Sequence, residues 1–529
     1  MMLHLADNSI DFSVVSVGFS GCIATSGGNY LFVNGSDSAR WAISTSTLNV
    51  EHNESKHDEL VGYDRSDSTM GLFPQNVFLD RYPSAAQVGK AKDGLGGYNF
   101  WFCGFDCYPC ATITHTAQVR YSRTNINIEL DSGFELVEEV VMTDEYEWEI
   151  SYATKGMEVN VQTPDNFLSS FLIEVQSKCS MKNIKFCIPS LLSGASSLIS
   201  SNSILFTLSD CSVIHSSGNA IGHSFVNAIG GKLRMEQFEI RETLTFEGHS
   251  LMEFVEGVDV VYLAGCNVTS VEKRNGLGGW LNGVVGAERG DGRNGIIVIY
   301  GCLMKECRCC GGGGGMFANV KGEGSIVVNG SCVIDWCEAK SSEGSEGRGG
   351  GMMIVMESRD GSLKIESGVE FSVETANRAK YGKDVFARCG SGVLLETKIN
   401  ATSFGFFESS EIPSDVLKLS GSEDGKEDEV IPLFVYLSSI ELKLTVDGSF
   451  GNGKDHSHCG FEEFGCLTID YCVNHRTNAN LHEIDVASES SIKSEMKVAS
   501  FEVSLSGKEE GTKVVVRDEG SINQNHLIE

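Results

Sequence analysis

The sequence predicts an all-β protein built as a parallel β-helix, a solenoid with about three short strands per coil and short capping helices. Three observations predict this class: many glycines with few prolines, a motif that recurs about every 32 residues, and a second repeat of about 356 residues. In such a fold each coil pairs in parallel with its two neighbours, because one coil alone cannot bury its inner face.

The composition favours short strands joined by tight turns. The 529 residues include 60 Gly and only 7 Pro. Glycine allows the positive φ angles of tight turns, and proline removes a donor that a sheet needs. A hydrophobic content of 41% is enough to bury a core, which argues against disorder.

The short period appears as a column of residues that each follow a β-branched strand and a turn. The column consists of Cys211, Cys266, Cys302, Cys332 and Val369, with steps of 55, 36, 30 and 37 residues. The first step is long enough for two coils, with 235–248 as the missing one, so the mean is (369 − 211)/5, about 32 residues. We expect these residues to point inward and to stack in one ladder.

Each coil then continues through another short strand and a run of glycines into an apolar strand. The segments GLGGWLNGVV (276–285), GGGGGMFANV (311–320) and GRGGGMMIVM (347–356) show this pattern. The pattern predicts glycine bends between the strands of one coil.

The long period indicates a duplication of whole units. CGFDCYPCATITHTAQVR (103–120) aligns without a gap with CGFEEFGCLTIDYCVNHR (459–476), at an offset of 356 residues. We therefore expect the end of an upstream β-helix unit at 1–92, a complete unit at 93–450 and the start of a further unit at 451–529. This arrangement predicts that the chain is a fragment of a longer repetitive protein.

The cysteines of the first copy, Cys103, Cys107 and Cys110, have a spacing that resembles the iron–sulfur triplet of radical enzymes. The second copy keeps the outer pair as Cys459 and Cys466 but has Glu463 in place of Cys107. A cluster held by three cysteines needs all three thiolates, so a structural role is favoured. In an oxidising compartment each outer pair is a disulfide candidate that brackets a loop before a short helix.

Other sites receive a structural interpretation. Cys302-x4-Cys307 and Cys332-x4-Cys337 repeat 30 residues apart, and buried or disulfide-linked thiols are favoured there over a soft-metal site. Glycoside hydrolysis needs paired carboxylates, and the chain contains no Asp-Asp, Asn-Thr-Asp or Gly-His-Gly motif. The sequence therefore predicts no catalytic residue, no cofactor and no metal.

Charge and hydropathy restrict partners and location. With 41 Lys and Arg against 72 Asp and Glu, the net charge of −31 makes nucleic acids and anionic membranes poor partners. The first residues lack a basic region, and no apolar run approaches 18 residues, so neither a signal peptide nor a transmembrane segment is predicted in this chain.

The motif C-G-x5-C-x-T-I, followed by coils that end in glycine runs, resembles the right-handed parallel β-helix repeat proteins of protist surfaces. These are similar to bacterial polymorphic outer membrane proteins and share the pectin-lyase-like fold. The resemblance covers nearly all of 10–529. It implies right-handed coils and a cell-surface or extracellular full-length protein, with any membrane anchor outside this fragment.

Two functions stay open. The favoured one is a non-enzymatic structural or adhesion-type solenoid with an unknown surface ligand, either protein or glycan. The alternative is a carbohydrate-active β-helix enzyme of the pectate-lyase or glycoside-hydrolase type, since such enzymes share the fold. A cluster of carboxylates on one groove face would distinguish the enzyme from the binding protein.

Overall fold

The computed structural model shows a protein made of parallel strands. It describes residues 2–4, 14–18, 31–35, 48–51, 60–64, 72–74, 85–89, 103–104, 109–119, 125–131, 134–152, 157–162, 169–190, 196–215, 218–240, 242–255, 257–286, 294–341, 347–371, 376–399, 404, 418–423, 430–433, 444–447, 459–460, 465–476, 481–486, 490–492, 502–507 and 514–516. Of these residues, 57% lie in strands and 5% in helices, and the sheets are mostly parallel. The predicted all-β class is confirmed at this level.

The chain forms two compact units. The first contains 1–398, 402–406 and 417–430, and the second contains 399–401, 407–416 and 431–529. The limits of the repeat units at 92 and 450 stay a prediction, because a division into compact units does not test where a sequence repeat begins or ends.

Most strands of the first unit belong to four series that follow one another in chain order. The first series consists of Val140–Met142, Phe171–Val175, the beginnings of Ser197–Ser209 and Ser224–Glu236, Met252–Phe254, Leu281–Val285, Met316–Val320, Met352–Met356, Val385–Cys389 and Leu419–Ser422. The second series consists of Ala86–Val88, Asn125–Leu130, Glu147–Tyr152, Cys179–Lys182, the ends of Ser197–Ser209 and Ser224–Glu236, Val258–Ala264, Ile296–Tyr300, Ser325–Asn329 and Ser362–Ile365.

The other two series consist of shorter strands. The third series consists of Glu135–Leu136, Met157–Val161, Ile184–Ile188, Ser212–His215, Glu239–Ile240, Asn267–Thr269, Leu303–Lys305, Val333–Asp335 and Glu370–Phe371. The fourth series consists of Leu244–Phe246, Val271–Lys273, Arg308–Cys310 and Glu338–Lys340.

Within a series each strand pairs in parallel with its successor, and the register shifts within the long strands Ser197–Ser209 and Ser224–Glu236. In the second series Tyr262 pairs with Val298, which pairs with Val327. In the third series Asn267 pairs with Leu303, which pairs with Val333. The spacing between partners, 29 to 36 residues in these examples, agrees with the short period of the sequence.

The turn from the second to the third series carries one residue in the left-handed region. Asn183, Asp210 and Gln237 occupy it with φ angles of 60°, 54° and 51°, and Gly265 and Gly301 occupy it in the next strands. Short polar residues and glycine tolerate this conformation better than other residues. The turn explains why the third-series strands are short and begin just after such residues.

The glycine runs form the turn that enters the first series. Gly278, Gly313 and Gly349 have φ angles of 69°, 72° and 65°. A Cβ on Gly313 would lie 2.1 Å from the carbonyl oxygen of Met316, and the other two glycines are equally crowded. Only glycine fits such a position, so the predicted glycine bends are present.

The side chains that alternate inward along the strands are buried. In the second series Ile297 and Ile299 are buried whereas Ile296 and Val298 remain partly exposed. The largest fully buried side chains are Trp280, Phe206, Phe225, Phe238, Phe246, Phe386 and Phe404. Burying such apolar surface is the main term that favours folding.

In the part of the first unit that the structure describes there are also two small groups of N-terminal strands and two short helices. The strands are Met2–His4, Val14–Gly18, Leu31–Gly35, Leu48–Glu51, Leu60–Asp64 and Leu72–Pro74. The pair formed by the last two is antiparallel. Helix α1 spans Ile113–Val119, where the sequence predicted a helix, and helix α2 spans Leu395–Lys398.

The second unit has a small core of its own. Its strands are Ile431–Pro432, Leu444–Val446, Leu481–Val486, Ser490–Ile492, Glu502–Gly507 and Val514–Val516, and helix α3 spans Ile469–Arg476. Leu444, Ile469 and Ile484 pack together with both cysteines of the pair Cys459 and Cys466.

Candidate functional site: the outer face of the second series

The second series presents one continuous face to solvent. Its alternate side chains point away from the buried ones, and parallel pairing places them in rows across consecutive strands. We call this surface the outer face. Its central row is Asn127, Glu149, Ser180, Thr207, Arg234, Tyr262, Val298, Val327 and Lys364.

The first part of the outer face is polar and charged. Lys178 lies 3.0 Å from Glu147, and Lys182 lies 2.7 Å from Glu149, each pair joining neighbouring strands. All four side chains are about half exposed, so each pair contributes little to stability. They line an open cavity of about 170 Å³ together with Asn127.

The second part of the outer face is aromatic and aliphatic. The guanidinium of Arg234 lies 5.2 Å from the centre of the Tyr262 ring, a cation–π distance. Tyr300 is 49% exposed, and its ring rests on Gly330, where a Cβ would lie 2.9 Å from a ring carbon. Because the glycine gives the ring room, Tyr300 lies against the next strand. The partly exposed neighbours of the two tyrosines are Val260, Ile296, Val298 and Val327.

A cluster of carboxylates on one face is the feature that would distinguish an enzyme from a binding protein. Glu147 and Glu149 lie on the outer face on one strand, and each is engaged with a lysine. Among the described residues, no three His, Cys, Asp or Glu side chains gather as they would around a metal ion. The arrangement offers hydrogen-bonding groups and a ring surface to a ligand.

The cysteine column lies in the interior, at the start of the third series. Cys211, Cys266, Cys302, Cys332 and Val369 are all buried, with at most 4% exposure. The main-chain oxygens of Cys266, Cys302 and Cys332 accept hydrogen bonds at 2.8–2.9 Å from the residue that follows the next column member. The missing coil contributes Phe238, whose oxygen accepts from Asn267 at 2.8 Å.

The thiols of the column have a role that the sequence did not suggest. The main-chain N–H of Cys266 donates to Sγ of Cys302 at 3.4 Å, and the N–H of Cys302 donates to Sγ of Cys332 at 3.3 Å. A buried N–H needs an acceptor, and here the cysteine of the next strand supplies it. The repeated residue type was the visible signal, but sequence alone reports size and not hydrogen bonding.

A second column stands at the start of the fourth series. Cys307 and Cys337 are fully buried, and the N–H of Cys337 donates to Oδ1 of Asn377 at 2.8 Å. Asn377 thus supplies the acceptor that a cysteine supplies elsewhere. Two further cysteines follow Cys307 in sequence: Cys309 is buried and Cys310 is partly exposed.

The disulfide candidates are at bonding distance in both copies. The sulfur atoms of Cys103 and Cys110 are 1.99 Å apart, and those of Cys459 and Cys466 are 1.96 Å apart. Cys107 and Glu463, which decided the sequence interpretation, lie outside the described residues.

The surroundings of the two disulfides match in detail. Cys110 donates its N–H to Gln87 at 2.9 Å, and Cys466 donates to Thr445 at 3.0 Å. In each copy a threonine then caps the helix through its hydroxyl: Thr112 accepts from His115 and Thr468 accepts from Tyr471. The duplicated sequence therefore corresponds to a duplicated strand, disulfide loop and helix.

Burial also perturbs groups away from the outer face. Lys273 is 2% exposed, and burial lowers its pKa; its Nζ donates to the hydroxyl of Ser250 at 3.0 Å and to the carbonyl oxygen of Leu277 at 2.8 Å. Burial raises the pKa of Glu138, which accepts from the N–H of Ile113 at 2.6 Å at the start of α1. Lys273 thus holds a turn, and Glu138 holds the start of α1.

Within the described residues no helix has the length and apolarity needed to cross a lipid bilayer. Comparison of the chain with family models, with curated proteins and with solved structures gave no match.

Proposed function

We propose that the chain is part of a right-handed parallel β-helix that acts as a non-enzymatic, adhesion-type surface protein. The observation that carries the proposal is the parallel pairing of the second series, with one register shift between Gly231 and Lys232, which sets out rows of polar and aromatic side chains over nine strands from Asn125 to Ile365. Four strand series in constant chain order support coils, since each series returns after about 30 residues.

The ligand of this surface is a protein or a glycan that lies on the outer face. Exposed tyrosines give such a surface contact area at low entropic cost, and flanking polar groups give it hydrogen bonds. The disulfides next to α1 and α3 are compatible with an extracellular location, which the resemblance to protist surface proteins also implies.

The enzyme alternative has weaker support. A glycosidase needs one carboxylic acid with a raised pKa and a second carboxylate free to act as base or nucleophile. Glu147 and Glu149 are each paired with a lysine, Lys178 or Lys182, so the outer face is better suited to binding than to hydrolysis.

A binding experiment with face variants tests the proposal. Purified chain would be applied to glycan arrays and to fixed cells, next to Tyr300→Ser and to Leu303→Ser, a partly exposed control in the third series. We expect Tyr300→Ser to weaken binding at least tenfold and Leu303→Ser to leave it unchanged. Equal loss in both variants would refute the outer face as the site, and release of reducing sugar ends from a polysaccharide would establish the enzyme instead.

A further inference from the structure

Two pairs of cysteines lie thiol against thiol inside the first unit. Cys266 and Cys302 immediately precede consecutive strands of the third series, and Cys307 and Cys337 immediately precede consecutive strands of the fourth. All four are at most 1% exposed. All four are free thiols, and the interaction within each pair raises the pKa of Cys302 and of Cys337.

The backbone brings each pair within reach of a covalent bond. Leu303 donates its N–H to the oxygen of Cys266 at 2.8 Å, and Glu338 donates to the oxygen of Cys307 at 2.9 Å. The two cysteines of a pair therefore occupy equivalent places on adjacent parallel strands, which lie about 4.8 Å apart. A disulfide requires Cα atoms about 4.4–6.8 Å apart, and this spacing falls inside that range.

We propose that Cys266 with Cys302, and Cys307 with Cys337, form two disulfides that tie consecutive strands when the chain folds in the presence of a low-molecular-weight disulfide such as oxidised glutathione. This inference goes beyond the binding function and does not depend on it. The bonds would act at the level of fold stability, by joining residues 36 and 30 positions apart in sequence.

The chemistry balances with one glutathione disulfide per bond formed. Either cysteine of a pair can attack first with the same balance, and Cys266 serves as the example. Its thiolate attacks oxidised glutathione, forms a mixed disulfide and releases one glutathione. Cys302 then attacks the sulfur of Cys266, displaces the second glutathione and loses its proton to solvent.

The reaction belongs to folding and not to the finished fold. Burial raises the pKa of buried thiols such as Cys332, to about 11, which leaves little thiolate at neutral pH. Glutathione also needs access, which the buried positions deny. We therefore expect the bonds to close before the strands are fully packed.

Cys332 is the competing partner of Cys302. Its sulfur accepts the main-chain N–H of Cys302, just as the sulfur of Cys302 accepts that of Cys266. Cys266 is the assigned partner because its thiol is the largest cause of the raised pKa of Cys302. Cys179 is an internal control: it is equally buried, and its register partners, Trp148 and Phe206, carry no thiol.

Mass mapping of the full chain tests the inference. The denatured, reduced chain is refolded with a reduced and oxidised glutathione mixture, free thiols are alkylated in denaturant, and unreduced peptides are sequenced. We expect peptides linked through Cys266–Cys302 and Cys307–Cys337, with Cys179 alkylated. Compared with chain refolded in reductant, the urea midpoint of the first unit should shift upward.

Two variants keep the test decisive. Cys302→Ala should leave Cys266 alkylated while Cys307–Cys337 still forms, and Cys337→Ala should give the converse. The proposal is overturned if all four cysteines are alkylated in a sample whose Cys103–Cys110 bond has formed. A link between Cys302 and Cys332 would overturn the assigned pairing.

Discussion

The column residue Cys302 fills a small apolar place and also accepts a hydrogen bond. Its sulfur receives the N–H of Cys266, whereas at the end of the column Val369 occupies the same place without an acceptor. A valine is tolerated at 369 because the N–H it would leave without an acceptor, that of Cys332, donates to the carbonyl oxygen of Gly330 inside its own turn. Similar size is therefore not a sufficient reason for Cys and Val to be interchangeable.

Replacing Cys302 with Val should destabilise the first unit. The change removes the acceptor of the buried Cys266 N–H, and an unsatisfied buried donor costs about 1–3 kcal/mol. Cys302→Ser keeps an acceptor atom and should lose less. Urea unfolding of both variants measures the difference, and a Val variant as stable as the Ser variant would show that the sulfur accepts no hydrogen bond that matters.

His223 makes stability depend on pH. Its ring is fully buried, with Nδ1 2.9 Å from the oxygen of Ser224 and Nε2 3.2 Å from that of Pro189. Burial lowers its pKa, the two carbonyl oxygens oppose this shift, and nearby His249 and His215 add to it. Because the unfolded chain binds the proton more tightly, the contribution of His223 is complete above the unfolded pKa near 6.5 and is lost as the pH falls below it.

The expected size is at most about 1.4 kcal/mol per pH unit below 6.5. When the pH is lowered from 7.5 to 5.5, the urea midpoint should fall further for the natural chain than for His223→Gln, whose side chain does not titrate. The same pH dependence in both chains would assign the effect to other groups.

At the scale of elements, the turns explain which glycines the fold requires. Gly313 has a left-handed φ and no room for a side chain, whereas Gly301 has a left-handed φ in open space. Earlier strands carry Asn183, Asp210 and Gln237 at the place of Gly301. Two glycines with similar φ angles thus face different constraints.

Gly313→Ala should therefore be costly and Gly301→Asn nearly neutral. A Cβ on Gly313 would meet the oxygen of Met316 at 2.1 Å, and relief of that contact must shift the backbone of the next strand. We expect a loss of about 2–3 kcal/mol for Gly313→Ala, the upper range for a strained backbone, and under about 0.5 kcal/mol for Gly301→Asn. Thermal and urea unfolding measure both, and equal losses would contradict the distinction.

The elements also show how far sequence reasoning reaches. The glycine bends, helix α1 and the cysteine column could be predicted because a local pattern repeats at each of them. Phe238 was missed in the column because a large aromatic residue fills a place that is small elsewhere. The outer face was missed because its rows combine residues about 30 positions apart, such as Arg234 and Tyr262, and only the register reveals which residues are neighbours.

At the scale of the whole molecule, the ion pairs follow the same register as the hydrogen bonds. Across the fourth series Glu272 pairs with Arg308, which pairs with Glu338, so acid and base alternate from strand to strand. Lys185 and Glu158 do the same in the third series, at 2.8 Å. Each pair adds little stability alone. A strand that paired with the next strand but one of its series would bring like charges together, and this penalty favours the observed pairing.

Removal of one whole repeat should then leave a folded chain. Deleting residues 296–324 joins Gly295 to Ser325, and each removed strand is replaced by its register partner: Ile296 by Ser325, Leu303 by Val333 and Met316 by Met352. Each strand that loses a partner gains the next strand of its series in its place. We expect an unchanged β-type circular dichroism spectrum, with a modest loss of stability because Glu338 replaces Arg308 opposite Glu272.

A deletion out of phase with the repeat provides the matched control. Deleting 296–310 removes a second, a third and a fourth strand but leaves two first-series strands, Leu281–Val285 and Met316–Val320, next to each other in the chain. Their partners would then be out of order, and we expect lost β signal and aggregation. If the two deletions behave alike, either both folded or both unfolded, the chain is not organised as interchangeable coils, because only coils of equal register make one deletion harmless and the other disruptive.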